Sequence, residues 1–211
     1  MIYLDAKVNL FIIFASIGLV VVIFLAFLLY YLNVYKKKHL DRVVYVTLSR
    51  IAKYNDYLLL NKYFIDFGDQ NVGKIDHVLI TNKFICLIND FNISGVITGA
   101  YNDEQLYSYD KSGEKFILNP LTYNRNIMKK VALRNQLDNS FLKGIVVIND
   151  DSHYDIKDIP PQFYICKRKE LKTLIAKIEG ADVKPFKEKT TEEFIQLLDR
   201  LNLKGVKEND L

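Results

Sequence analysis

The sequence has few of the residues that build disulfide frameworks and cysteine-ligated metal centres. Its 211 residues include two cysteines and three histidines, and the spacing of Cys86 and Cys166 fits no metal-binding motif. Each cysteine lies in an apolar run typical of a strand, so we expect both to be reduced and buried as small hydrophobic side chains. The chain also lacks internal repeats and low-complexity segments.

Charge is absent from one long stretch near the N-terminus. The 23 residues at 10–32 are apolar apart from Ser16 and Gly18. As a helix, this run would span roughly 34 Å, enough to cross a hydrocarbon core of ~30 Å. The run is longer than the apolar region of a signal peptide, and no small-residue cleavage site follows it. We therefore predict a transmembrane helix over 10–33, in preference to a cleaved signal peptide or a buried core helix.

The charges that flank this run predict its orientation. Asp5 and Lys7 precede the run and cancel each other. An excess of basic residues follows it, and such an excess marks the cytoplasmic side of a span. The residues that follow are Lys36, Lys37, Lys38 and Arg42, opposed by Asp41. We expect a single-pass protein of the cell membrane, with residues 1–9 outside and the C-terminal domain in the cytoplasm.

The remainder of the chain is typical of one α/β domain with a mixed central sheet. A basic juxtamembrane segment, 34–40, leads into this domain, which we assign to 41–180. The predicted order is a helix, three strands, a helix, two strands and a helix. Short edge strands are expected in the turn-rich residues 92–118. A charged linker and an amphipathic C-terminal helix are predicted for 181–211.

Residues 74–95, KIDHVLITNKFICLINDFNISG, predict a hairpin of two strands joined by a polar turn at 81–83. Side chains alternate between the two faces of a strand, so the sequence predicts the faces of the first strand. One face carries Lys74, Asp76, Val78 and Ile80, and the other carries Ile75, His77 and Leu79. Because His77 points away from Asp76, we interpret it as a packed or hydrogen-bonded histidine of the sheet.

The second strand of the hairpin ends in residues that are unusual for a metal site. Asn89 and Phe91 share one face of this strand, and Asp90 points to the opposite face unless a bulge intervenes. An aspartate that faces polar groups on the next strand is a common way to hold a metal ion. Here an amide and a phenyl ring occupy the places where such a site needs a carboxylate and a cation.

The order of several blocks resembles the nuclease-related domain (NERD) family, a branch of the restriction-endonuclease-like PD-(D/E)xK group. The resemblance covers most of residues 41–150, and it implies a mixed central sheet flanked by helices. It depends on Ile75-Asp76-His77, the apolar strand 84–88, Asn92-x-Ser94-Gly95, Asn119-Pro120-Leu121 at the start of a helix, and the apolar strand 144–148.

The resemblance also implies a set of site positions. In that family, the aspartate of the first block and a glutamate on the next strand hold a divalent metal ion. A lysine two residues after the glutamate polarises the attacking water or the phosphate. Aligned on the later Ser94-Gly95, the glutamate position is Asn89, the lysine position is Phe91, and a glutamine of the following helix is replaced by Tyr123. Only Asp76 matches.

These departures predict a domain whose catalysis is lost or impaired, so we do not expect an enzyme. No cofactor is predicted unless the site is active, in which case it would use Mg²⁺ or Mn²⁺. The alternative is a rearranged nuclease site, in which Asp90 turns toward Asp76 at a bulge and Lys74 supplies the positive charge.

The leading functional prediction is a membrane-anchored cytoplasmic protein that binds nucleic acid or a protein partner. A net charge of +4 suits attraction to DNA, RNA or anionic lipid. Candidate phosphate-binding residues are Lys74 and a basic helix face, Lys129, Lys130 and Arg134, which could equally be a solvated surface. A third alternative is a protein-interaction scaffold that uses the C-terminal helix and does not bind nucleic acid.

Overall fold

The computed structural model describes residues 2–66, 72–110, 112–135, 139–183, 192 and 195–196. The chain forms two compact units, Met1–His39 and Leu40–Leu211. The first unit is one long helix, α1 (Ile2–Lys38). Within it, Phe14–Tyr35 has a mean hydropathy of 2.6 and is long and apolar enough to cross a membrane. The predicted apolar helix is therefore confirmed, while its insertion and orientation stay predictions, because a signal sequence has the same length and composition.

The second unit is a mixed α/β fold. Its longer elements, in chain order, are α2 (Leu40–Asn55), β1 (Leu58–Asp66), β2 (Val72–Ile80), β3 (Ile85–Phe91), β4 (Val96–Ala100), β5 (Gln105–Asp110), β6 (Gly113–Leu118), α3 (Pro120–Asn135), β7 (Leu142–Ile148), β8 (His153–Lys157), β9 (Phe163–Lys167) and α4 (Leu171–Glu179).

The strands form two mixed sheets, where the sequence predicts one. The larger sheet has the order β1-β2-β3-β7-β9, with β1, β2 and β3 antiparallel and β7 and β9 parallel to β3. The smaller sheet has the order β6-β5-β4-β8. The predicted α/β class with a mixed sheet and flanking helices is confirmed. The expected edge strands, β4 and β5, belong to the second sheet, together with the unpredicted β6 and β8.

Two hydrophobic cores cover the faces of the larger sheet. The first core lies under α3 and the smaller sheet, and it includes Val78, Leu87, Leu106, Leu121, Val131 and Val146. The second core lies under α2 and α4, and it includes Val44, Leu48, Ile88, Ile145 and Ile175. Because β7 contributes buried side chains to both cores, its sequence is almost continuously apolar, as expected for a strand covered on both faces.

The first core requires a glycine at one point of close approach. A Cβ atom on Gly144 would lie 2.7 Å from the Phe163 ring and 2.8 Å from the sulfur of Met128. Such contacts are too short for any other residue without movement of its neighbours. Gly144 therefore allows α3 to pack directly over the junction between β7 and β9.

Both cysteines are free and buried, as the sequence predicts. Burial raises the pKa of Cys86 and that of Cys166 to about 12, so both thiols are protonated at neutral pH. The predicted C-terminal helix falls largely outside the described residues. Of its described residues, Glu192, Ile195 and Gln196 are helical, and the half-buried Ile195 packs against the first core.

Candidate functional site

Backbone pairing between β2 and its two neighbouring strands is interrupted at Asp76. Strands β1 and β2 pair on both sides of Lys62 and Asp76, but these two residues do not pair with each other. Lys62 has a φ of 53°, in the left-handed region that a lysine rarely adopts. On the other side of Asp76, the pairing of β2 with β3 ends at His77 and Ile88. Asp76 therefore lies where backbone pairing is missing on both sides.

This interruption overturns one detail of the predicted strand faces. Ile75 is fully buried and joins the first core together with Val78 and Ile80. The prediction that Ile75 faces away from those two residues was wrong. Simple alternation requires regular strand geometry, and the backbone departs from that geometry at Lys62 and Asp76.

Side chains replace the missing ladder bonds. The backbone N–H of Asp76 donates to Asn89 Oδ1 over 3.3 Å, and Asn89 Nδ2 donates to the carbonyl of Lys74 over 3.5 Å. The backbone N–H of Asp90 donates to Asp76 Oδ2 over 3.0 Å. The remaining oxygen of Asp76, Oδ1, forms an ion pair with Lys74 Nζ at 3.3 Å. Both carboxylate oxygens of Asp76 thus hold neighbouring parts of the hairpin.

Tyr123 joins the first turn of α3 to β2 at Lys74. Its hydroxyl accepts from the N–H of Lys74 and donates to the carbonyl of Lys74, each over 2.8 Å. Burial raises the pKa of Tyr123, the backbone hydrogen bond to Lys74 opposes this rise, and the charge of Asp76 adds to it. Asn119 fixes the start of α3, because its Oδ1 accepts from the N–H of Leu121 in an N-cap bond of 3.0 Å.

The Asn92-x-Ser94-Gly95 block holds the end of β3 against the end of β7. Asn149, which follows β7, donates through Nδ2 to Asn92 Oδ1 over 2.7 Å and to the carbonyl of Ile93 over 3.0 Å. Gly95 has a φ of 99°, and a Cβ there would lie 2.1 Å from the carbonyl oxygen of Tyr109. This position therefore requires glycine. Nothing in the sequence singles out Asn149 as the partner of this block.

A family model for the nuclease-related domain matches residues 37–149, more than half of the chain. The chain belongs to the NERD family. The match runs from the segment before α2 to the residue after β7, so it includes the whole Asp76 hairpin and the start of α3. The predicted resemblance is confirmed. No curated protein and no solved structure matches the chain.

The NERD hairpin places Phe91 and Asp90 on opposite faces. Phe91 is half-buried and packs against the first core. The carboxylate of Asp90 points to the other side of the sheet, where Oδ2 lies 2.9 Å from His77 Nε2. The side chains of His77 and Asp90 are only 2% and 5% exposed. The rearranged-site alternative requires the Asp90 carboxylate to turn toward Asp76. In the structure its Oδ2 bonds to His77, while the charge of Asp76 still acts on it, so this alternative stays a prediction.

The His77–Asp90 pair is buried and incompletely satisfied. His77 Nδ1 and Asp90 Oδ1 are buried and have no hydrogen-bond partner among the described residues. The ring of Tyr45 lies over His77, with ring centroids 6.3 Å apart. Burial raises the pKa of Asp90, the bond to His77 opposes this rise, and the charges of Asp76 and Asp41 add to it. Asp41, in the first turn of α2, therefore acts on the pair from the helix side.

The divalent metal ion that the family implies does not fit the residues around Asp76. Within the described part of the chain, no three His, Cys, Asp or Glu residues are grouped to hold a metal ion. Mg²⁺ and Mn²⁺ prefer anionic oxygen ligands with open positions for water. Asp76 is engaged by an ammonium group and a backbone N–H, and Asn89 Oδ1 accepts from another N–H.

The predicted basic face lies on α3. Lys129 is exposed and Lys130 is half-buried, while the side chain of Arg134 lies outside the described residues. Lys130 is seven residues from Tyr123, so both lie on the same face of the helix. The fourth predicted phosphate contact, Lys74, is ion-paired with Asp76.

Replacement of Asp90 by asparagine tests the buried pair. Since burial raises the pKa of Asp90, folding favours its protonated form. The contribution of Asp90 to the unfolding free energy is then complete below its unfolded-state pKa of ~3.9. It is lost as the pH rises through the higher pKa of the folded state. We expect the difference in unfolding free energy between wild type and Asp90→Asn to fall as the pH rises above the unfolded-state pKa of ~3.9. Urea unfolding of the detergent-solubilised chain measures it.

The matched control is Asp155→Asn, an exposed aspartate on β8. The difference between this control and wild type should change little over the same range. A difference for Asp90→Asn that grows with pH would show that His77 stabilises the charged carboxylate by more than burial penalises it.

Proposed function

We propose that this NERD-family protein is a single-pass membrane protein whose cytoplasmic domain binds nucleic acid without cleaving it. The observation that supports this proposal most directly is that Asp76 holds the hairpin together. Asp76 is the one site residue that matches the family pattern. In this proposal the domain keeps the nuclease scaffold and its surface charge, and it uses them for binding.

The chemistry of phosphodiester cleavage supports loss of hydrolysis. Cleavage requires a hard cation held by oxygen anions, and positive charge near the phosphoryl group in the transition state. Asn89 offers a neutral oxygen in place of a carboxylate, and Phe91 offers no charge. Loss of a single stabilising donor lowers a rate by about 10²–10³-fold. Two losses at one site do not simply multiply, but both act in the same direction.

Electrostatics supports nucleic acid as the ligand. Binding to a phosphate backbone requires only lysine and arginine side chains and no metal ion. The chain has a net charge of +4, and Lys129 and Lys130 extend along the helix that begins beside Lys74. By analogy of fold, a nuclease-related scaffold can also accept the phosphate backbone of a nucleic acid.

A binding and cleavage assay on the full-length protein in detergent tests this function. With Mn²⁺ present, we expect labelled single- and double-stranded DNA and RNA to be bound but cut no faster than by Asp76→Ala. Binding should weaken as salt increases, because counterions are released when lysines contact phosphates. The double variant Lys129→Ala, Lys130→Ala should lower the slope of log K against log salt by about one per lysine that contacts a phosphate.

The control for that double variant is Lys157→Ala, an exposed lysine on β8. It should leave the slope unchanged. Cleavage by wild type that disappears in Asp76→Ala would refute the non-hydrolytic function. Absence of any salt-sensitive binding would refute nucleic acid as the ligand and favour a protein partner.

The membrane topology is tested separately. The basic residues that follow the apolar run, Lys36, Lys37, Lys38 and Arg42, favour a cytoplasmic C-terminal domain. A C-terminal tag should therefore resist protease added to intact cells and be digested only after the membrane is permeabilised. Digestion of the tag in intact cells would reverse the orientation, and release of the tagged chain from washed membranes would exclude a span.

A further inference from the structure

The smaller sheet has one face that packs on the first core and one face that is exposed. Leu106 and Ile97 are buried on the inner face, and Ile117 and Ile156 pack against the first core from the same side. Because side chains alternate along a strand, the residues next to these lie on the outer face. Most of those neighbouring residues are exposed, so a partner of the domain can reach their side chains.

Three aromatic rings lie close together on this outer face. Tyr107 on β5 is paired with Phe116 on β6, and their ring centroids are 4.9 Å apart. Tyr109 comes two residues after Tyr107 on the same strand, so it shares the outer face. Phe116 is 63% exposed, and Leu118, two residues further along β6, is 75% exposed. An exposed apolar patch with polar residues around it marks an interaction site.

The smaller sheet is acidic, although the whole chain has a net charge of +4. Segments 96–118 and 151–158 form this sheet and its turns, and they contain seven aspartate and glutamate residues against three lysines. Glu114 on β6 is paired with Tyr109, whose hydroxyl donates to Glu114 Oε1 over 3.3 Å. Asp155 on β8 lies in the same cross-strand row as Tyr107. Carboxylates therefore lie on the same outer face as the aromatic rings.

The charge of this face determines which kind of partner fits it. A symmetric contact with a second copy of the chain would place the same acidic groups against each other. A nucleic acid or an anionic membrane surface would be repelled for the same reason. A cationic partner would be attracted. The exposed rings favour arginine over lysine, because the planar guanidinium group stacks on an aromatic face.

We propose that the outer face of the smaller sheet binds an arginine-containing segment of a protein partner. One guanidinium group stacks on the rings of Tyr107 and Phe116 and pairs with Glu114, two residues from Phe116 along β6. A second arginine pairs with Asp155 on β8, three strands away from β6. Strand spacing and rise place the Cα atoms of Glu114 and Asp155 roughly 16 Å apart. Arginines about four residues apart in an extended peptide span this distance with their side chains.

This surface is separate from the lysines of α3, so the inference does not rest on the nucleic-acid binding proposed above. The acidic sheet and the basic helix face would bind partners of opposite charge. In this arrangement a protein partner and a nucleic acid do not compete for one surface.

Fluorescence anisotropy of a labelled peptide, titrated with the full-length protein in a non-ionic detergent, tests the surface. The probe is Gly-Arg-Gly-Ser-Gly-Arg-Gly, in which the arginines are four residues apart. We expect it to bind about fivefold to tenfold more tightly than the same peptide with lysine at both positions, because lysine cannot stack or pair in the same planar geometry. A peptide with glutamate at both positions should not bind.

Variants of the outer face locate the binding. Phe116→Ala and Tyr107→Ala each remove an exposed ring, so the fold should survive. Each should weaken the arginine peptide by about twofold to fivefold through loss of the cation–π contact. Glu114→Gln and Asp155→Asn should weaken the arginine and lysine peptides alike, by a similar factor, because each removes one exposed ion pair.

The matched controls lie outside the smaller sheet. Leu133→Ala changes an apolar residue of α3 that is 81% exposed, and Asp182→Asn changes an exposed aspartate after α4. Both should leave the affinity for the arginine peptide unchanged. The inference is overturned if the lysine peptide binds as tightly as the arginine peptide, or if Phe116→Ala leaves the affinity for the arginine peptide unchanged.

Two other results would assign the face to a different occupant and also overturn the inference. The first is weaker binding of a single-stranded oligonucleotide by Phe116→Ala, which would make the face part of a nucleic-acid site. The second is a dimer of the wild type, measured by sedimentation, that dissociates in Phe116→Ala, which would assign the face to a second copy of the chain.

Discussion

Two backbone donors depend on side-chain acceptors at the point where the β2–β3 ladder ends. The N–H of Asp76 donates to the amide oxygen of Asn89, and the N–H of Asp90 donates to the carboxylate of Asp76. Buried backbone groups require partners, and at this interruption no opposing strand supplies them. The hairpin therefore depends on an acidic residue at 76 and on a side chain at 89 that is both donor and acceptor.

That requirement gives a physical reason for the departure of residue 89 from the NERD pattern. Asn89 accepts through Oδ1 and donates through Nδ2 to the carbonyl of Lys74. An ionised glutamate could accept but not donate. Lys74 forms an ion pair with Asp76, and Phe91 packs against the first core. In the non-hydrolytic function proposed above, these positions therefore serve packing and pairing.

Asp90 connects Asp76 to His77. Its backbone N–H donates to the carboxylate of Asp76, and its own carboxylate lies 2.9 Å from His77 Nε2. His77 lies under Tyr45 of α2, the helix that directly follows the unit containing the apolar span. Three contacts, Tyr45–His77, His77–Asp90 and Asp90–Asp76, thus link α2 to the position that would hold the family's metal ion.

Much of this fold follows from the sequence, and the exceptions have identifiable causes. Apolar periodicity predicts α2, the hairpin and β7, because those elements bury one or both faces. It misses β6 and β8, because their side chains are mostly exposed. β8 also pairs with β4, a strand far from it in sequence, while β6 pairs with the neighbouring β5. The left-handed backbone of Lys62, which shifts Ile75 into the first core, has no signal in the sequence. The contact of Tyr123 with Lys74 joins residues 49 positions apart, so the local pattern does not reveal it.

The central claim is that Asp76 holds the hairpin and does not hold a metal ion. Calorimetric titration of the full-length wild type and of Asp76→Asn with Mn²⁺ tests it most directly. The account predicts the same heats for both proteins, with no stoichiometric binding that depends on residue 76. A single tight site in the wild type that is lost in Asp76→Asn would contradict it.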